Sequence, residues 1–541
     1  MSDLTVLTNG RIFTACQPND TQTEFKNCMV INGKIISHVG KDSDQAAIDA
    51  IKDGARVVDL EDHVVTPSFI DAHTHLLLFG LSLKKLDLSD CTTFDSLIDT
   101  IDQYAKANPD LTRILCRSWN QDVSKGRTLA TVLDKIDSRP IYVEASDLHS
   151  SWLNTSALKE LPMEEMMKVC GVHIAKDLRG NPTGLLSEQA HIGYVWPFLI
   201  NSVPDNEQMS LIKEVVELYT SAGYGGLIDM AMQPPAWESL VRYRERYGLP
   251  LHLAAHWLIH PEKDIELIRK QVDQAIEMKR KFSPESSPDF CIVGIKLISD
   301  GVVDGCTAAL NRPYGGMTDL VAPLWSQEMM DFAVQYATDA GLQCAIHAIG
   351  DFAVNQAINS IEKTGNTTAR HRIEHLEVTT AEDAARLGKL GITASVQPVH
   401  SDPVGLRAYK TLIGAERLER IFAYKDFHEG NACLAFGTDA PTAKHLPLAN
   451  LYNASTRRSA LNPALTEQTN SKNILSLFHS VVAATKGAAY SRFAENWTGS
   501  LEPGLRADFV VISSAWTAES LLEAKVTQTW KDGRQVFKLE N

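Results

Sequence analysis

The chain has 541 residues, 44% of them hydrophobic, and a formal charge of −15 from 67 acidic against 52 basic residues. That length exceeds one small core and predicts a large catalytic-sized domain with an accessory one. The acidic balance, without any Lys/Arg-rich tract, argues against a nucleic-acid partner, and no uncharged apolar run approaches the length of a membrane span. The segment MSDLTVLTNGRIFTACQ lacks the basic start and continuous apolar stretch of a secretory leader, so a cytoplasmic location is expected. Nine cysteines scatter without a CxxC pair, which speaks against a disulfide scaffold and a thiolate zinc site.

Residues 1–64 read as short strands, LTVLTNGRIFT, NCMVINGKIISHVG and ARVVDLEDHVVTP, with both NG pairs placed as tight hairpin turns. The C-terminal part, 495–541, repeats that style in RADFVVISS and VTQTWKDGRQVFKL, the latter with a DG turn. Each end alone is too small to bury much surface, so the two are expected to form one small β-sandwich.

Between the ends, residues 65–450 alternate apolar strand-like runs with amphipathic segments such as DIELIRKQVDQAIEMKRKF and TAEDAARLGKL. Eight runs qualify as strands: 68–75, 225–231, 250–257, 292–299, 342–348, 371–376, 391–396 and 432–438. Eight βα units predict an α/β fold, a (β/α)₈ TIM barrel, with an insertion over 85–215 and a helical tail over 451–494. Loops at the strand exits of such a barrel carry specificity, and Trp119 in the insertion is a candidate apolar wall.

Polar groups recur at the strand ends: His73 and His75 in SFIDAHTHLLLFG, Lys296 in IKLISDG, His347 in HAIGD, His375 in RIEH and Asp439 in FGTDAP. Residues two apart on a strand share a face, so His73 and His75 can converge on one object. A barrel would bring the others to the same mouth, where imidazole and carboxylate suit Zn²⁺ and leave a position for water. The competing reading of each histidine alone is a structural or surface residue. Asp300 reads equally well as a turn residue, and Asp351, Asn450 and Arg457 read better as structural, cap-type residues than as catalytic ones.

Together with NG…VINGKI…VVTPSFIDAHTH and GSLEPGLRADFVVI, these motifs resemble the metal-dependent amidohydrolase superfamily, in the large branch that includes N-substituted formamide deformylase. The resemblance covers nearly the whole chain. It implies that His73 and His75 ligate the more buried metal, His347 and His375 the second or shared site, and that Asp439 is a metal-associated carboxylate moving a proton. It also implies one or two divalent ions, most simply Zn²⁺, with a bridging ligand that is either a carbamylated Lys296 or Glu188 in NPTGLLSEQA. His149 in SDLHSSWLN resembles a substrate-side catalytic histidine.

The implied activity is hydrolysis of a carbon–nitrogen bond other than a peptide bond, by attack of metal-bound hydroxide on the carbonyl of a small molecule. Ester or lactone hydrolysis, deamination and metal-assisted decarboxylation use the same polarised carbonyl and remain alternatives. A non-catalytic scaffold is disfavoured because no implied metal-site group is missing, and a nucleotide-dependent enzyme because no GxxxxGK[ST] or GxGxxG segment occurs. A homo-oligomer is left open.

Overall fold

The computed structural model describes residues 4–16 and 24–540; Met1–Asp3 and Gln17 of the N-terminal segment read above lie outside the described residues. The chain divides into two compact units, one of Met1–His75, Val216–Met232 and Arg246–Asn541, the other of Leu76–Val215 and Gln233–Glu245.

The first unit contains eight parallel strands: β1 (Phe69–Thr74), β2 (Tyr224–Met232), β3 (His252–Leu258), β4 (Phe290–Ile298), β5 (Gln343–Ala348), β6 (Arg372–His375), β7 (Thr393–Val396) and β8 (Cys433–Phe436). Each pairs with its neighbours in sequence. The two ends of the ladder meet where Asp439 N–H donates to the His73 carbonyl at 2.7 Å and His75 N–H to the Ala440 carbonyl at 3.0 Å. This is a nearly closed eight-stranded parallel barrel of the TIM type, and its strands are the eight expected, with ends slightly shifted. Their apolar runs suit it because strands of a parallel barrel are covered on both faces; every residue of β4 is buried.

Some of the helices between strands start at side-chain caps. The Asp264 carboxylate accepts from Glu266 N–H at 2.9 Å to open Ile265–Lys281, and Lys279, Arg280 and Lys281 complement the dipole at its far end. That helix buries Ile268, Val272 and Ala275, spaced on one face. Thr380 caps Ala381–Lys389 through Asp383 N–H at 3.1 Å.

Two further sheets belong to this unit. One runs in the order Ile35–Gly40, Cys28–Asn32, Leu4–Thr8, Arg56–Asp59; the other runs Arg11–Ile12, Val64–Pro67, Phe509–Ser513, Lys525–Lys531, Arg534–Lys538. The second draws on both ends of the chain, with Val64–Pro67 antiparallel to Phe509–Ser513 and Val65 opposite Val511. Leu7, Met29 and Ile31 of one sheet share an apolar cluster with Val65, Phe509 and Trp530 of the other.

Tight hairpins form near Asn32–Gly33 and at Asp532–Gly533: the latter pair makes the turn between Lys531 and Arg534, whereas Asn32 is still in the strand, opposite Ile35, and the turn is Gly33–Lys34. Asn9–Gly10 makes no hairpin. The strand before it pairs with Cys28–Asn32 and Arg56–Asp59, the strand after it with Val64–Pro67, so this turn carries the chain from one sheet to the other.

Deleting the last forty residues removes three of the five strands of the mixed-end sheet and leaves Val64–Pro67 with an exposed inner edge. The expected result is an insoluble or protease-labile protein although no candidate ligand is lost. A soluble truncation with an intact cooperative melt would show that the ends do not depend on each other.

The second unit holds a six-stranded mixed sheet in the order Ile174–Lys176, Pro182–Ser187, Ser150–Leu153, Ile141–Ala145, Ile114–Trp119, Leu86–Asp87. Trp119 and Trp152 are fully buried in its apolar core with ring centroids 6.0 Å apart, so Trp119 packs the interior rather than walling a pocket. Among the described residues, no helix is long and apolar enough to cross a membrane.

Candidate metal centre

The end of β1 and the exit of β8 are bound together before any chemistry is considered. Buried Asp71 accepts from Thr438 N–H at 2.9 Å, from Thr438 Oγ1–H at 2.5 Å and from His73 N–H at 3.2 Å. Burial pushes its carboxyl up to about 6, partly opposed by those donors. Gly437 permits the approach: a Cβ there would lie 2.5 Å from His73 N, closer than any side chain tolerates. Asn450 joins in, donating to the Gly437 carbonyl at 2.9 Å while accepting from Val399 N–H at 2.8 Å.

His73 and His75 then aim at one carboxylate. His73 Nδ1 meets Glu374 Oε2 at 2.8 Å and His75 Nδ1 meets the Met230 carbonyl at 2.8 Å. With Nδ1–H donated backwards in both rings, each Nε2 faces Asp439 Oδ1, at 3.3 Å and 3.1 Å. Burial alone would push the Asp439 carboxyl up; the His73 charge and the hydrogen bonds from His73 and His75 outweigh it and hold the group well below the usual carboxylate range.

His375 enters from β6 by a break in strand geometry. Glu374 faces inward in a two-pronged pair with Arg372, at 2.8 and 3.0 Å, so the next side chain should face out. His375 instead has φ of 74°, which breaks the alternation and lets consecutive residues both reach His73; the His73 and His375 ring centroids are 4.9 Å apart. Asp439, at φ 61°, is also left-handed. Non-glycine residues in this region cost roughly 1–3 kcal/mol each and concentrate at functional sites.

His347 packs against His375 with centroids 4.4 Å apart, and its Nε2 lies 3.2 Å from the Gly301 carbonyl. Lys296, inward on β4, is almost wholly buried. Burial lowers its ammonium to about 8, against the opposing pull of the Glu374 and Asp439 charges. Asp300 serves the loop, accepting Ala309, Ile349 and Gly350 N–H at 2.9, 3.1 and 2.9 Å. Asp351 is the first residue of its helix, after Gly350, and accepts from Asn311 N–H at 2.8 Å instead of capping. Arg457 ends a helix and donates to the Thr469 carbonyl at 2.7 Å.

The remaining candidates lie in the second unit. Ser150 stands opposite Ser187 in antiparallel register, which puts their neighbours His149 and Glu188 side by side. His149 Nδ1 lies 2.7 Å from Glu188 Oε2, and Glu188 N–H donates to the His149 carbonyl at 2.7 Å. Asp147 accepts from His149 N–H at 2.9 Å and from Gln121 at 3.1 Å.

Among the described residues, two groups of side chains can each present three ligand atoms within 4.8 Å of one another: His73, His75 and Asp439, and His375, His400 and Asp439. Their chemistry fits a divalent cation. Imidazole nitrogens surround an anionic carboxylate, and His375 Nδ1 is buried with no hydrogen-bond partner. His400 was not anticipated from the sequence, nor was the orienting role of Glu374. The available signal for His400 was its position in SVQPVH, just past the seventh apolar run, where the other candidates also lie relative to theirs.

The amidohydrolase family model matches residues 56–537. Among curated proteins the chain is 28% identical over 550 residues to Protein LONG AFTER FAR-RED 3 of Arabidopsis thaliana, covering 99% of this chain and 92% of that one. It is 22% identical over 562 residues to the N-substituted formamide deformylase of Arthrobacter pascens, covering 98% of each. A solved structure of an uncharacterised metal-dependent hydrolase from Pyrococcus horikoshii OT3 shares the fold, with a TM-score of 0.73 and 23% identity over 99% of this chain and all of that one. Since the family model spans most of its length, the chain belongs to the amidohydrolase family.

Proposed function

We propose that this protein is a zinc-dependent hydrolase that cleaves a carbon–nitrogen bond, of the amide type, in a small molecule. The observation that carries this reading is the convergence of His73 Nε2 and His75 Nε2 on one buried Asp439 oxygen, each ring fixed from behind by an acceptor. The similarity to a formamide deformylase along the full chain supports the bond type. We read the two terminal sheets, which share an apolar cluster, as the small β-sandwich that accompanies the barrel.

His73, His75 and Asp439 would hold one ion, and His347, His375 and Lys296 belong to the neighbouring part of the mouth. A divalent ion there would supply polarisation of the scissile carbonyl and a lowered pKa for water. Asp439, kept anionic, accepts the proton of the attacking water and hands it to the departing nitrogen. In the second unit, His149 Nδ1 lies 2.7 Å from Glu188 Oε2, and we read His149 as the group that polarises the substrate carbonyl through a ring N–H.

Of the two bridge candidates, Lys296 is near enough to Asp439 and Glu374 to feel their charges, whereas Glu188 is engaged with His149. A lysine lowered to about 8 keeps part of its population as the free amine that carbamylation requires. Lys296→Ala is therefore expected to lose its metal and to regain part of its activity with an added short-chain carboxylate, while Glu188→Ala keeps its metal. The reverse pattern in elemental analysis transfers the bridge to Glu188.

The function itself is tested with a substrate panel of N-formyl amines, N-acyl amino acids, cyclic amides and aryl esters. Turnover confined to the esters would remove the carbon–nitrogen assignment, and failure on all four by a metal-loaded protein would remove hydrolysis of these classes.

A further inference from the structure

The reading above leaves one histidine at the mouth without a task. His400 follows β7 in the short turn Pro398–Ser401, and its ring lies parallel to that of His375, with planes 5° and centroids 6.1 Å apart. Asp439 is divided between two sides. Its Oδ1 serves His73 and His75, whereas its Oδ2 faces His400 Nε2 at 3.9 Å.

That 3.9 Å is too long for a hydrogen bond. It is close to the ~3.4 Å that separates two ligands of one tetrahedral ion with bonds of ~2.0–2.1 Å. His375 brings a third ligand atom within 4.8 Å of both, and its Nδ1 is buried without a hydrogen-bond partner.

On the far side of His400 a carboxyl group stands near the ring but beyond hydrogen-bond distance, unlike the 2.8 Å contact behind His73. His400 Nδ1 lies 3.9 Å from Glu377 Oε1, and buried Glu377 is itself held by Tyr409, whose hydroxyl donates to Oε2 at 2.8 Å. Burial pushes the Glu377 carboxyl up to about 8, so it lies behind the ring as a largely neutral group. His347 Nε2 faces the Gly301 carbonyl. Thr442 Oγ1, 3.2 Å from His400 Nε2, is the group an ion would displace.

We propose that His400 is a metal ligand, and that with His375 and Asp439 it holds a second divalent ion. Asp439 then faces both positions, Oδ1 toward the first and Oδ2 toward the second. The inference rests on the metal reading of the site and adds a ligand from the seventh strand's exit.

The test is titration of ion-stripped protein with Co²⁺, read by calorimetry, by visible absorption of the bound ion and by elemental analysis. The parent is expected to take two equivalents. His400→Ala should take one with affinity near the parent's first site, its second ion bound at least ~100-fold more weakly. His400→Gln replaces His400→Ala if the alanine variant fails to fold, judged by its thermal melt.

A folded His400 variant that takes both ions with parent affinities overturns the inference, as does a parent that takes only one. Either result leaves the His73, His75 and Asp439 site standing. A parent that binds neither Co²⁺ nor Zn²⁺ overturns the metal reading itself.

Discussion

Asp439→Asn is expected to fold and, at saturating metal, to lose at least ~100-fold in kcat on whichever substrate the panel reveals. The carboxylate is held where it can act: Asp439 N–H donates to the His73 carbonyl at 2.7 Å, and Oδ1 meets two imidazole nitrogens. An asparagine keeps the volume and one acceptor but has no oxygen basic enough to take a proton, so the loss should fall in kcat rather than in folding. Circular dichroism and elemental analysis establish that the variant is folded and loaded before its kinetics are compared. A loaded variant within a few-fold of the parent would remove Asp439 from proton transfer and leave the water to be activated by the metal alone or by another base.

Removing the metal has the second large effect expected. Chelation should abolish activity, a divalent ion should restore it, and His73→Ala should show the metal loss first, because His73 is the most enclosed of the ligands and is fixed by Glu374 at 2.8 Å. Stability should follow occupancy, since an ion present at ~1,000 times its Kd adds about 4 kcal/mol to the folded state. The stripped protein should melt lower than the loaded one. Fully active protein carrying under ~0.2 equivalents of any transition metal would end the metal assignment, because a required ion must be present in proportion to active sites.

Much of the barrel is legible because the signals involved are local. A strand covered on both faces must be apolar along its length, so runs such as GGLIDMA and IVGIKLI announce themselves, and a polar residue at the end of such a run stands out. The HTH pair is legible for a similar reason: on a strand, residues two apart share a face. The hairpin at Asp532–Gly533 follows from turn chemistry that two residues suffice to specify, while the Asn32–Gly33 pair marks a hairpin whose turn falls one residue later, at Gly33–Lys34.

The same turn chemistry misleads at Asn9–Gly10, where the residues fix a bend but not the strands that pair beyond it; that choice depends on Cys28–Asn32 and Val64–Pro67 elsewhere in the chain. His375 reaches His73 beside Glu374 because a left-handed residue breaks the strand's alternation, which no periodic pattern encodes. His149 and Glu188 meet through a register set by Ser150 and Ser187, and His400 reaches Asp439 from an irregular turn. By itself, then, the sequence determined the class of fold, its eight strands and the residue types gathered at their ends, because burial and side-chain period are properties of neighbouring residues. Only the tertiary structure decided which nitrogen faces which oxygen, because that depends on closure of the ladder between His73 and Asp439, residues far apart in the chain.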